Sequence, residues 1–232
     1  MHAAEQAEAK RNAGYRAAEE VRDGMVVGLG TGSTVFFAME RLGERIAREG
    51  LCVAGVPTSY QAAIRARRYG IPLTSLDEHP ELDIAIDGAD QVDPALRLIK
   101  GRGAALLREK CVCDATRSVF IVVDRSKVVD TLNAPVPVEV LPFAVEAVSR
   151  RLAALGADPA LREGVKKDGP VVTDNGNFII DCGFKEIAEP ERLEAAIASI
   201  PGALECGLFC GYPEKITVIV GEEKGCSVVS LH

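Results

Sequence analysis

Four short stretches of this chain carry residues whose types and spacing suit chemistry on a small anionic substrate. The first is Gly28-Leu29-Gly30-Thr31-Gly32-Ser33-Thr34. Glycines let a backbone turn tightly and bring N–H groups to an anion, and the hydroxyls of Thr31, Ser33 and Thr34 add donors. A helix starting near Thr34 would aim its positive end at the same place. The alternative is a plain tight turn with Ser33 or Thr34 as helix N-cap. The second stretch, Asp87-Gly88-Ala89-Asp90, sets two carboxylates around a small-residue turn. Such a pair can hold sugar hydroxyls, and crowding can shift one acid for proton transfer; a solvated turn or a divalent-metal site would look the same. The third runs Lys100-Gly101-Arg102-Gly103, with Glu109 about two turns into the helix that follows. A lysine beside a reacting oxygen stabilises a developing oxyanion, and a shielded glutamate can act as a base on carbon. Read alone, Glu109 also fits an exposed helix acid paired with a neighbouring Lys or Arg. The fourth, Asp124-Arg125-Ser126-Lys127, offers Lys127 as positive charge for a phosphate, or is a polar surface turn.

Each stretch follows an apolar run that reads as a strand: Met25–Leu29, Leu82–Ile86, Leu96–Lys100 and Val119–Val123. Ligands of open α/β sheets bind beyond the carboxyl ends of strands, so the four exits are expected to converge on one pocket. The glycine loop does not fit a dinucleotide fold. Ser33 stands where the third glycine of Gly-x-Gly-x-x-Gly belongs, and the next strand ends in Val56-Pro57-Thr58-Ser59 without an acid for a ribose diol. There is no Gly-x-x-x-x-Gly-Lys-Ser/Thr either, so the loop suits a monophosphate better than a pyrophosphate.

The positioning elements alternate. Helices are expected over Ala3–Val21, from Thr34 to Arg48, and over Ser59–Arg68 and Ala104–Cys113, with strands between them and at Leu51–Val56. This pattern implies an α/β fold: a mainly parallel, Rossmann-like sheet with helices on both faces. The character changes near Asn133. Val136–Val140 reads as an edge strand, because Pro137 cannot donate to a ladder. A helix over Phe143–Leu155, an Asn175-Gly176 hairpin inside Val171–Ile180, a helix over Glu191–Ile200 and a strand over Ala203–Phe209 complete a β-α-β-β-α-β order. The expected division is an α/β domain of residues 1–132 with 206–232, and a smaller inserted α+β, ferredoxin-like domain of residues 133–205. Strands over Ile216–Val220 and Cys226–Leu231 would rejoin the first.

Composition narrows the classes. With 232 residues, 47% of them hydrophobic, the chain can bury a full core. The net charge of −7 argues against nucleic acid as a partner but leaves room for a small phosphate ester. The seven cysteines are odd in number and contain no Cys-x-x-Cys, and histidine occurs only at 2, 79 and 232. These point to buried or half-buried thiols in a reducing compartment rather than a zinc site. Residues 1–10 lack an apolar stretch and no run of 18 apolar residues occurs, so neither a signal peptide nor a membrane span is expected. The expected location is the cytoplasm.

Taken together, Gly-Thr-Gly-Ser-Thr at 30–34, Asp-Gly-Ala-Asp at 87–90, Lys-Gly-x-Gly at 100–103 and Arg-Glu-Lys at 108–110 closely resemble the ribose-5-phosphate isomerase A family. Pro137–Pro142 and Val171–Asn177 resemble the same family's second-domain signatures. The resemblance implies a cofactor-free, metal-independent aldose–ketose isomerase of the pentose phosphate pathway, acting on ribose 5-phosphate and ribulose 5-phosphate. By it, Glu109 is the catalytic base, Lys100 stabilises the enediolate oxygen, Asp87 serves ring opening and hydroxyl proton transfer, and Asp90 orients the sugar. Thr31, Gly32, Ser33 and Thr34 match the substrate loop, with Gly88, Ala89, Gly101, Arg102 and Gly103 beside the sugar. Lys127 and Lys10 match further contacts, Lys10 near the phosphate. Arg102 departs from the third glycine of many members, which puts the local turn geometry in question. The resemblance also implies a homodimer or homotetramer. A non-catalytic sugar-phosphate sensor, or a related fold acting on amino-sugar phosphates or CoA esters, are the competing readings.

Overall fold

The computed structural model describes residues 3–231. The chain forms two compact units. The first comprises the chain up to Ala89, Arg108–Val128 and the chain from Tyr212 on; the second comprises Asp90–Leu107 and Val129–Gly211. Residues 90–107, adjacent in sequence to the α/β elements, thus group with the second unit.

The first unit holds a six-stranded sheet. Its strands are β1 (Val26–Leu29), β2 (Ala54–Pro57), β3 (Leu82–Asp87), β6 (Thr116–Asp124), β12 (Ile216–Glu222) and β13 (Gly225–Val229). The order is β13-β12-β6-β3-β1-β2, and every pair is parallel except β12–β13. The carboxyl ends of β6, β3, β1 and β2 therefore lie side by side. The apolar runs that suggested fully buried strands are so placed: Val27, Leu29, Ile84, Ile86, Val122 and Ile219 share one core. Helix α1 (Ala3–Ala18) contributes Ala13 and Ala17 to that core. Helix α2 (Ser33–Glu49) buries Thr34, Val35, Ala38, Met39 and Leu42, a stripe at helical spacing. Burying Met39 and Leu42 completely stabilises the fold by about 2 kcal/mol each. Helix α3 (Tyr60–Arg68) starts at Ser59, whose hydroxyl accepts the Ala62 N–H.

The second unit contains two antiparallel sheets. The larger, ordered β10-β7-β9-β8, is built from β7 (Val136–Val140), β8 (Ala157–Leu161), β9 (Phe178–Phe184) and β10 (Ala203–Cys206). With α5 (Val145–Ala154) and α6 (Pro190–Ala198) it gives the expected β-α-β-β-α-β order. Val136, Val138, Val140, Ile180 and Cys182 meet Val148, Leu152 and Ile197 of the helices. The smaller sheet, β11-β5-β4, joins β4 (Gln91–Val92), β5 (Leu98–Ile99) and β11 (Leu208–Phe209).

Three expectations need correction here. First, β7 is a central strand, not an edge. Pro137 is tolerated because β10 leaves its side at Cys206, so the N–H that proline lacks faces the point where the neighbouring strand departs. Second, the strand expected over Ala203–Phe209 is broken at Gly207, and its halves belong to different sheets. Third, Val171-Val172 is not in a strand. The Asn175-Gly176 turn is present, with Thr173 N–H donating to Asn177 O, but the ladder beside β9 is taken by β8.

That turn has another purpose. Glu139 of β7 is wholly buried, and its Oε1 accepts from Thr173 Oγ1 (2.8 Å), Asn175 Nδ2 (3.0 Å) and Asn177 Nδ2 (2.8 Å). The two second-domain signatures are thus one buried polar network: three donors satisfy Glu139 Oε1, while Oε2 is buried with no hydrogen-bond partner among the described residues. The cysteines only partly follow expectation. Cys113, Cys182, Cys206 and Cys210 are buried and Cys226 is half-buried, but Cys52 and Cys111 are exposed. Burial pushes the Cys182 thiol up to about 12.

Candidate active site

In the first unit, the turn after β1 is shaped by its neighbour in the sheet. Gly30 N–H donates to Ile86 O (3.0 Å), continuing the ladder one residue beyond the strand. A Cβ on Gly30 would lie 2.1 Å from Asp87 Oδ1 and 2.7 Å from Asp87 Cα, so only glycine lets the two strand ends approach. Asp87 Oδ1 accepts the N–H groups of Gly88 (2.7 Å) and Thr31 (3.2 Å). Thr31 Oγ1 hydrogen-bonds Ser59 Oγ (2.6 Å) and Thr58 Oγ1 (3.1 Å). The N-cap of α2 is Gly32, at φ 139°, and not Ser33 or Thr34. Its carbonyl accepts the Phe36 N–H, and the first-turn N–H groups of a 17-residue helix stand at the end of β1. Gly88 and Ala89 are half-buried just beyond Asp87.

At the next strand end, β6 finishes in Asp124, followed by a 3-10 turn over Arg125–Lys127. Asp124 is buried, and its carboxylate accepts from Ser126 N–H (3.0 Å), Ser126 Oγ and Gln6 Nε2 (3.3 Å). Burial pushes this acid up, but the Ser126 and Gln6 donors and the charge of Lys10 outweigh it, holding Asp124 below the usual carboxylate range. Lys10 of α1 therefore sits at the β6 exit, together with half-buried Lys127.

Glu109 lies in the first turn of α4 (Leu106–Ala115), not two turns in, because the helix starts at Leu106 rather than Ala104. It is 5% exposed and Lys110 7%, so the reading of an exposed helix acid does not hold. The guanidinium of Arg108 stacks on Tyr60, 5.1 Å from the ring centre.

The second unit positions Lys100 and Asp90. Lys100 directly follows β5 and is 4% exposed, with its Nζ 5.5 Å from the centre of the Phe209 ring. Its N–H donates to Gly207 O (2.8 Å). Gly207 N–H donates to Pro137 O (2.7 Å), and a residue other than proline would donate back to Gly207 O. Pro137 has no N–H to give, so that carbonyl is left for Lys100. A Cβ on Gly207 would lie 2.2 Å from Lys100 O. Asp90 N–H donates to Ile99 O (2.8 Å), and its Oδ2 accepts the Arg102 N–H (2.9 Å). The two acids of Asp-Gly-Ala-Asp thus have separate tasks: Asp87 holds the β1 turn and Asp90 the Lys100–Gly103 turn. Arg102 has no positive φ; among the described non-glycine residues of this turn only Ala104 does, at 58°. The arginine therefore stands where the backbone does not require a glycine.

These positions and their spacing can be set beside known proteins. The sequence model of the family "Ribose 5-phosphate isomerase A (phosphoriboisomerase A)" matches residues 54–225. The chain belongs to the ribose 5-phosphate isomerase A family. A ribose-5-phosphate isomerase A of Methanoregula boonei is 62% identical over 224 residues, covering 97% of this chain and 94% of the relative. One from Thermosynechococcus vestitus is 56% identical, covering 89% and 88%. Among solved structures, ribose 5-phosphate isomerase A of Methanocaldococcus jannaschii is 43% identical with a TM-score of 0.91, covering 96% of this chain and 98% of that one. A D-ribose-5-phosphate isomerase solved with phospho-erythronic acid is 45% identical with a TM-score of 0.92 and the same coverage.

Sequence reasoning missed several residues that build the turns. Thr58 and Ser59 could have been suspected, since they end the strand parallel to β1. Gly207, Phe209, Arg162 and Asp181 gave no such signal, because nothing in the local sequence tells which turn they meet. Among the described residues no three His, Cys, Asp or Glu side chains are grouped to hold a metal ion, and no helix is long and apolar enough to cross a membrane.

Proposed function

We propose that this chain interconverts D-ribose 5-phosphate and D-ribulose 5-phosphate by proton transfer through an enediolate, as a step of the non-oxidative pentose phosphate pathway. Family membership supports the reaction. The observation that carries the assignment of residues is the burial of the three charged groups in the family motifs: Asp87 is 6%, Lys100 4% and Glu109 5% exposed. Removing charged side chains from water costs folding free energy, and such groups concentrate at functional sites.

In this reading Asp87 assists ring opening. The Glu109 carboxylate takes the proton from C2 of the open aldehyde, and the electron pair passes to O1, giving the enediolate. The Lys100 ammonium stabilises the charge on oxygen. Glu109 returns its proton to C1 while the O2 proton moves to O1 through Asp87, leaving the 2-ketose. Nothing is oxidised or reduced overall, and atoms balance without a cofactor. Asp90, Gly88, Ala89 and the Gly101–Gly103 turn orient the sugar. Thr31–Thr34, with the amino end of α2, and Lys10 and Lys127 hold the phosphate. The protein works as a cytoplasmic homodimer or homotetramer in this proposal.

The test is direct conversion of ribose 5-phosphate with and without EDTA, alongside Glu109→Gln. Turnover is expected to survive chelation. Glu109→Gln should fold and bind sugar phosphate while losing about 10²–10⁴ in kcat. Near-normal turnover in that variant refutes the role of Glu109, and binding without turnover in the unmodified protein points to a sensor.

A further inference from the structure

The Lys100–Gly103 turn is held by a side chain that lies in none of the recognised motifs. Arg162 follows β8, and its own backbone is fixed on both sides: its N–H donates to Ile179 O (2.8 Å) and its carbonyl accepts Val171 N–H (2.8 Å). One edge of its guanidinium grips Asp181 of β9, with Nε on Oδ2 (2.7 Å) and Nη2 on Oδ1. The other edge points at the turn. Nη1 donates to both Gly101 O (3.0 Å) and Arg102 O (3.0 Å). The Arg162 side chain is 16% exposed; its bond to Gly101 O is partly buried and that to Arg102 O lies at the surface, and both are charge-assisted.

Two successive carbonyls aimed at one guanidinium fix two peptide planes. In a trans peptide the N–H points opposite to the C=O. The N–H groups of Arg102 and Gly103 are therefore turned away from Arg162, and the first of them meets Asp90 Oδ2. The Lys100 peptide is fixed from its other side by Gly207. We propose that Arg162, aligned by Asp181, is a positioning residue for the reaction: it sets the orientation of the Gly101–Gly103 peptides and so the course of the chain leaving Lys100. This rests on Lys100 and its turn acting on the developing enediolate. A lysine at 162 has no planar fork and cannot hold a carboxylate and two carbonyls at once.

The experiment compares Arg162→Ala, Arg162→Lys and Asp181→Asn with the unmodified protein and with Lys100→Ala, measuring kcat, KM and Tm. Both Arg162 variants should lose about 30-fold in kcat with KM changed by less than about threefold, and Asp181→Asn about fivefold. Millimolar guanidinium, too dilute to unfold the protein, should restore part of the Arg162→Ala loss and none of the Arg162→Lys loss. In a Lys100→Ala background the Arg162→Ala change should cost less than about threefold, because the two act on one step. Normal kcat in a folded Arg162→Lys variant overturns the proposal, as does an activity loss that follows Tm and is not rescued. If Arg162→Ala fails to fold, Arg162→Lys and Asp181→Asn decide the matter by the same readouts. Normal kcat in Lys100→Ala would instead overturn the functional assignment on which the proposal rests.

Discussion

The two turns that carry the candidate phosphate-binding loop and the candidate catalytic lysine are built by different means. The Gly30–Ser33 turn is an extension of the parallel sheet. Its first N–H continues the ladder to Ile86, and Asp87, one residue further along the neighbouring strand, accepts the N–H of Thr31. The Lys100–Ala104 turn leaves a much shorter sheet: β5 is two residues long and antiparallel to its neighbours, and the Lys100 N–H continues its ladder to Gly207 O. Past Lys100 it is held by side chains: Asp90 accepts the Arg102 N–H, and Arg162 donates to the carbonyls of Gly101 and Arg102. A sheet supplies geometry through its backbone, whereas a turn outside a sheet must obtain it from side chains. The first kind of site should be sensitive to added bulk, and the second to the loss of particular partners.

The contrast can be broken most severely at Gly30. Gly30→Ala sets a methyl 2.1 Å from a carboxylate oxygen and 2.7 Å from backbone that cannot give way. A fall in kcat/KM of about 100-fold is expected, with about 3 kcal/mol of stability lost, read by steady-state kinetics and urea unfolding. An unperturbed Gly30→Ala enzyme would show that the strand ends do not approach as closely as described.

Gly207→Ala applies a similar test to the second turn. The new methyl would lie 2.2 Å from Lys100 O and 2.7 Å from Pro137 Cδ. The obstructing carbonyl belongs to the end of a two-residue strand, which has fewer ladder bonds to hold it than the six-stranded sheet, so a shift relieves part of the clash. The expected outcome is about a tenfold loss in kcat and about 1–2 kcal/mol in stability. A loss as large as that of Gly30→Ala would erase the distinction between the two turns.

The third strand end, at Asp124, responds to pH. Asp124 sits below its ordinary value of 3.8 in the folded protein, because its donors outweigh its burial. An acid depressed on folding adds stability above its unfolded pKa and loses that contribution as pH falls through the folded value. Asp124→Asn should therefore lower Tm by about 2–4 °C at pH 7, and the gap should close as pH falls below about 4. A gap that persists unchanged at pH 3 would mean that the serine and glutamine contacts do not favour the ionised form.

Much of this was legible beforehand where the signal was local. The apolar runs and the glycine punctuation located β1, β3 and β6, and the acids and lysines at their ends were found by position. The errors occurred where a distant segment decided the outcome. Pro137 marked an edge strand until the departure of β10 at Gly207 made room for it inside the sheet. Glu109 stayed open between a shielded base and a surface acid, because helical spacing alone cannot tell which face of α4 is covered. Val171-Val172 looked like half of a hairpin because the competing partner, β8, carries a proline and an aspartate and gives little strand signal.

Residue order alone was enough for the alternation of strands and helices, the carboxylates and lysines at strand ends, and the family to which they belong. Those properties depend on side-chain polarity and backbone freedom within a few residues. It took the folded chain to show that Asp87 and Asp90 serve different turns, that Pro137 frees a carbonyl for Lys100, and that Arg162 grips the peptides that follow Lys100. Each of those depends on hydrogen-bond directions between segments tens of residues apart, which become fixed only when the chain is folded.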